Sequence, residues 1–167
     1  MNHDRHDMDR HDMDQHGMDQ HGMDQRRMNH DEVPPPAFRA LMAEVTADGQ
    51  RFGHRQHVEL TWLAVRRHGA SHAAELVGEG IRRTATAAGA PQKFHVTMTR
   101  AWVELVAHHL TADAGPSDDF DTFAARHPEL LDKALLSRFY RPETLAGAAA
   151  RVTWVAPDLA PFPWQHA

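Results

Sequence analysis

The chain has 167 residues, of which 41% are hydrophobic and 25% charged, with a formal charge of −5 and no cysteine. That length bounds it to one domain plus an appendage, and the missing thiols exclude disulfides, thiolate zinc sites, iron–sulfur clusters and a cysteine nucleophile. Residues 1–32 hold nine Asp/Glu against four Lys/Arg while the remainder holds fourteen of each, and a charge-balanced domain lacks the clustered basic face that nucleic-acid binding uses.

The first 32 residues are a repeat. From His6 the chain reads HDMDR-HDMDQ-HGMDQ-HGMDQ, with His6, His11, His16 and His21 five residues apart and Met8, Met13, Met18, Met23 and Met28 in the same period. Five residues turn an α-helix by about 500°, so no single face forms, and an odd period alternates faces in a strand. Rich in Asp, Gln and Gly and without aliphatic core residues, residues 1–32 are expected to be a disordered tail. Imidazole, thioether and carboxylate side chains together can capture copper, nickel or zinc loosely. No apolar run approaches the roughly 18 residues of a membrane span, and the N-terminus lacks the apolar core of a secretory leader. A cytoplasmic protein with no membrane partner is expected.

Residues 33–36 (Val33-Pro34-Pro35-Pro36) form a stiff linker, since consecutive prolines favour polyproline II. A single helical domain over 37–167 follows. Its first helix is expected at about 37–47 (Phe38, Leu41, Met42, Val45), closed by Asp48-Gly49. The second is expected from Gly53 or His54 to His68, stopped by Gly69. At 100° per residue His54, His57, Val58, Thr61 and Val65 share its inner face. Ser71 is placed as the cap of a third helix ending near Gly89, with Ala73, Leu76, Val77, Gly80, Ile81, Thr84 and Ala88 as its inner stripe. Gly80 in that stripe predicts close approach by a neighbour.

Pro91 is expected to open a fourth helix running to about Leu110, with Phe94, His95, Met98, Trp102, Leu105, Val106 and His109 on one face. Ser117-Asp118-Asp119 reads as a cap before Phe120. Pro128 is expected to start a helix through Phe139, and Pro142 a last short one through Leu145. Residues 154–163, rich in proline, should pack as an extended strap. No hairpin signal is present, so the fold expected is all-α, a compact bundle of five to seven helices.

The histidines carry the chemistry. His54 and His57, three apart, share one helix face, the spacing at which bundles present paired metal ligands. His95 is placed one turn into its own helix, and parallel packing would bring the three imidazoles to one ion with a coordination position open. Without thiolates such a site suits iron, copper, zinc or nickel better than magnesium or calcium. The plainer reading is that each ring bonds a backbone carbonyl or a threonine hydroxyl. His109 lies fourteen residues beyond His95, about 21 Å along the helix, and so cannot share that site. His68, His72, His127 and His166 read as helix ends or surface positions.

Trp62, Thr99, Trp102 and Arg100 are candidate substrate contacts, with core filling the plainer role for the indoles and pinning of the strap for the arginine. No nucleophile elbow, phosphate-binding loop, dinucleotide fingerprint or H-E-x-x-H motif is present.

F-x-H-x-x-H-x-x-x-x-W at Phe52–Trp62 and K-F-H-x-T-x-T-x-x-W at Lys93–Trp102, with Ala150-Arg151, Trp154 and Pro157–Pro161, resemble a group of small uncharacterised bacterial all-helical proteins. The resemblance spans about residues 50–163 and implies a helical fold without naming an activity. It also implies a glutamate where this chain has Val96.

Three functional expectations follow. The leading one is a metal-binding helical protein, with a metalloenzyme acting on a small molecule by redox chemistry or metal-assisted hydrolysis as its fuller form. The others are a non-enzymatic metal-handling protein that works through its tail, and a metal-free module for a small ligand.

Overall fold

The computed structural model describes residues 33–113 and 119–166. The tail, including His6, His11, His16 and His21, and the expected cap residues Ser117 and Asp118 lie outside the described residues.

Among the described residues the regular structure is seven α-helices and four 3-10 turns, with no strand. They are α1 (Pro36–Val45), α2 (His54–His68), α3 (Ala70–Ala87), α4 (Val96–Ala112), α5 (Phe120–Arg126), α6 (Pro142–Ala146) and α7 (Ala148–Val152). The all-α class read from the helical periodicity is the one observed.

Proline at its first position starts α1, and its buried stripe is Phe38, Leu41 and Val45. Gly69, at φ 77°, ends α2 and turns the chain directly into α3. A left-handed residue there gives a tight reversal that a Cβ would strain. No side chain caps α3, so Ser71 lies inside the helix rather than ahead of it. The inner stripe of α3 buries Ala73, Leu76, Val77 and Gly80. Gly80 receives the Phe38 ring so closely that a Cβ would stand 2.1 Å from a ring carbon. Helices α2, α3 and α4 pack on one another, and α1 lies across α2 and α3.

Two boundaries differ from the sequence reading. Pro91–Lys93 forms a separate 3-10 turn, Phe94 and His95 are extended, and α4 begins only at Val96. His95 is therefore the N-cap of α4 and not a residue one turn inside it. Residues 128–139 form two 3-10 turns, Pro128–Leu131 and Lys133–Arg138, and not one helix. The break falls at Asp132, whose carboxylate accepts the Ala134 N–H at 2.9 Å, the competition by which aspartate interrupts helices.

The C-terminal strap is pinned to the bundle. Tyr140 Oη donates to the Val155 carbonyl at 2.8 Å, and Thr97 Oγ1 donates to Thr153 O at 2.8 Å while accepting from Val155 N at 3.0 Å. Phe162, fully buried, stacks among Phe139, Trp154 and Trp164. No helix among the described residues is long and apolar enough to cross a membrane.

Candidate metal centre

The structure does not gather His54, His57 and His95 around one point. As the cap of α4, His95 accepts the Met98 N–H on Nδ1 at 3.2 Å and bonds the Leu145 carbonyl through Nε2 at 2.8 Å. A carbonyl can only accept, so Nε2 carries the proton, and both ring nitrogens are consumed by backbone. His54 bonds the Leu130 carbonyl through Nε2 at 3.0 Å and sets its ring edge-on to Trp102, with centroids 4.7 Å apart. Trp102 is seven residues past His95, about 10 Å along α4. His54 and His95 thus bond carbonyls of different elements, and with His57 they form no group of three ligand atoms within 4.8 Å of one another.

His57 is the unusual member of this set. Its Nε2 is buried and has no hydrogen-bond partner. Burial, with a smaller contribution from the adjacent His54, pushes its pKa down to about 4. His54 is lowered too, chiefly by burial. Both rings are thus neutral at pH 7.

Of the other candidates, the two indoles and Thr99 pack inward and Arg100 lies at the surface. Trp62 is buried against Phe120 and Phe123 and lines a cavity of about 490 Å³ together with Glu44, Glu59 and Phe120. Thr99 and Trp102 are buried. Arg100 pairs with Glu104 at 2.7 Å and lies over the Trp154 ring at 4.3 Å, which pins the strap.

A different group does converge. One ligand atom from each of His109, His127 and Glu129 lies within 4.8 Å of the others, the one such group of three among the described residues. His109 stands in the last turn of α4, His127 caps the C-terminal end of α5, and Glu129 is in the 3-10 turn that Pro128 starts. Proline at 128 stops α5 and swings the chain, so His127 and Glu129 leave the backbone near α4 instead of continuing around a helix.

The geometry of the group is specific. His109 Nδ1 bonds the Leu105 carbonyl of its own helix at 2.7 Å, while Nε2 stands 2.9 Å from Glu129 Oε1. The carbonyl fixes the proton on Nδ1, so in the neutral ring the Nε2 lone pair confronts a carboxylate oxygen. Two acceptors at that distance require a cation between or on them, either a proton or a metal ion. Metal–nitrogen and metal–oxygen bonds of about 2.1 Å put adjacent octahedral ligands about 3.0 Å apart, close to the observed separation. His127 Nδ1 is 3.9 Å from the same Oε1, and the two imidazoles meet edge to face with centroids 4.9 Å apart. The His109 and His127 side chains are 16% and 17% exposed and Glu129 is 34% exposed, so the group opens to solvent on the carboxylate side.

His109 is remote from His95 along α4, and His127 is a helix end, as the sequence predicts for both. What the sequence does not record is the packing of α5 and its proline turn against the C-terminal end of α4. The available signal was the His127-Pro128-Glu129 triplet, two ligand types flanking a forced helix stop.

No protein-family model matches the chain, and neither a curated protein nor a solved structure matches it.

Proposed function

We propose that this protein binds a divalent transition metal through His109, His127 and Glu129. The observation that carries the reading is the His109 ring. Its Nδ1–H is tied to a backbone carbonyl and its Nε2 is aimed at a carboxylate, the tautomer-fixing arrangement of metal-ligating histidines. A proton shared between His109 and Glu129 would account for that pair alone. His127 adds a third ligand atom within 4.8 Å of the other two, its Nδ1 standing 3.9 Å from the same oxygen, and a third converging ligand favours a metal ion.

Two imidazoles and one carboxylate without thiolate suit zinc, iron, nickel or copper. Three protein donors leave at least one position open, and solvent access beside Glu129 lets a small molecule or water take it. This donor set supports metal-assisted hydrolysis with zinc or redox chemistry with iron, so a metalloenzyme acting on a small molecule is the fuller reading.

The test is titration of the full chain with Co(II) or Zn(II), compared with His109→Ala. Loss of one equivalent of bound metal, and of the cobalt d–d absorption, on substitution is the expected result. Unchanged stoichiometry would remove the site.

A second reading is favoured by one sequence observation, the four evenly spaced histidines at 6, 11, 16 and 21 with methionines between them. Residues 1–32 would collect metal ions, and the protein would handle metal rather than transform a substrate. A chain with those four histidines replaced by glutamine separates the two, because it keeps the equivalent that His109→Ala loses.

A further inference from the structure

We infer that Asp113 is the positioning residue of the metal centre, holding His127 so that it ligates through Nδ1. The inference rests on the proposed site and adds a residue outside its ligands.

Asp113 is the first residue beyond α4 and caps its C-terminal end. Its side chain is only 12% exposed. Both carboxylate oxygens accept from Arg126 Nη1 at 3.2 Å, and Oδ2 stands 3.7 Å from His127 Nε2. Arg126 and His127 are consecutive at the end of α5, so one carboxylate ties the end of α5 to the end of α4.

The His127 ring therefore lies between two carboxylates. Nδ1 faces Glu129 Oε1 at 3.9 Å and Nε2 faces Asp113 Oδ2 at 3.7 Å. Nε2 is buried and makes no hydrogen bond, and a buried polar atom left in that state is costly whether it would donate or accept. A slight rotation of the ring would bring Nε2–H within hydrogen-bond distance of Asp113, since 3.7 Å is just beyond the usual range. With the proton held at Nε2, the Nδ1 lone pair is directed to the side where Glu129 and His109 Nε2 meet.

His109 is oriented in the same manner by a different partner, its Nδ1–H bonding Leu105 O at 2.7 Å. The two ligating histidines thus use opposite nitrogens, Nε2 of His109 and Nδ1 of His127. Each has its remaining N–H directed to an oxygen of α4 or of the residue that caps it. Outer partners of this kind typically change metal affinity by about 10–100-fold.

The experiment uses the full chain with its four tail histidines (6, 11, 16 and 21) replaced by glutamine, titrated with Zn(II) against a competing chelator. Asp113→Asn should weaken zinc binding by about 10–100-fold at unchanged stoichiometry. Arg126→Gln removes the same ion pair but keeps the carboxylate, and should bind zinc within a few-fold of the parent. Equal losses in the two variants would mean that the ion pair, not the carboxylate, matters, and would overturn the inference. So would an Asp113→Asn variant that binds as tightly as the parent.

Nitrogen-15 spectra of the zinc-loaded parent supply a readout that does not depend on any Asp113 variant folding. His127 should show a metal-shifted Nδ1 and a protonated Nε2; the reverse assignment overturns the inference. If the parent binds no zinc, the proposed site fails and this inference with it. If it binds and only the Asp113 results disagree, the site stands alone.

Discussion

His95 and His109 stand at opposite ends of α4, and each has its Nδ1 on a backbone group. They differ in what the second nitrogen meets. At the N-terminal end His95 Nδ1 caps the helix and Nε2 closes onto Leu145 O, so the ring is part of the scaffold. At the C-terminal end His109 Nδ1 bonds Leu105 O, and Nε2 is left facing Glu129 with His127 beside it. The same residue type on one helix is structural where backbone groups surround it and available where side chains of another element do. Burial does not separate the two roles; the identity of the second partner does.

The sharpest way to break this contrast is metal affinity. Removing a ligand should cost more than removing an outer partner, so His109→Ala or His127→Ala should weaken metal binding by roughly a thousandfold, about 4 kcal/mol. His54→Gln and His95→Asn should leave binding unchanged. Calorimetric titration checks both. Equal losses at the two ends of α4 would erase the distinction.

Acid should act first on the scaffold histidines. His57 is held neutral by burial, with its pKa pushed down to about 4. In the unfolded chain a histidine titrates near 6.5, so between these values the unfolded state binds more protons than the folded one. Stability contributed by the neutral ring is complete above about pH 6.5 and falls as the pH drops toward 4, by up to roughly 3 kcal/mol. His54 adds to the loss in the same direction. Denaturant unfolding from pH 7 to pH 4, run without metal, measures this. His57→Leu should flatten the slope, and a slope as steep as that of the parent would refute the assignment.

How much of this was legible in the residues follows from the range of each interaction. The stripe of α3 and the approach to Gly80 were readable because helical periodicity is local and a glycine on an inner stripe has few other uses. His54 and His57 were correctly placed facing inward. At His95 the difference is one of boundary: the sequence predicts a helix from Pro91, but Pro91 starts a 3-10 turn, which converts a face position into a cap. The metal group was illegible for a different reason. Its members come from the end of α4 and from the end of α5 and the turn beyond it, and long-range contacts set their distance: Phe120 and Phe123 on Trp62, and Arg126 on Asp113. Nothing periodic records that contact.

A smaller effect tests the scaffold role of His95 directly. His95→Ala removes a helix cap, worth about 1 kcal/mol. It also leaves the Leu145 carbonyl without its donor, for a combined loss of roughly 2 kcal/mol. His95→Asn keeps a capping oxygen and should recover part of that loss. Thermal unfolding of the two variants distinguishes them, and asparagine no better than alanine would show that the contact with Leu145 carries the whole effect.

The least effect is expected at Arg100, a candidate substrate contact that the structure places on the strap. Its pairing with Glu104 at 2.7 Å is half exposed on the arginine side, and its guanidinium covers Trp154 at 4.3 Å. An exposed ion pair contributes about 0–1 kcal/mol and a cation–π contact at such a site about 0.5–1 kcal/mol. Arg100→Met, which keeps the aliphatic stem over the indole, should therefore cost below about 1 kcal/mol, with a loss that shrinks at high salt. Metal binding should not change, since Arg100 lies nine residues before His109, about 13 Å along α4. A marked fall in metal affinity would connect the two ends of α4 and undo the contrast between them.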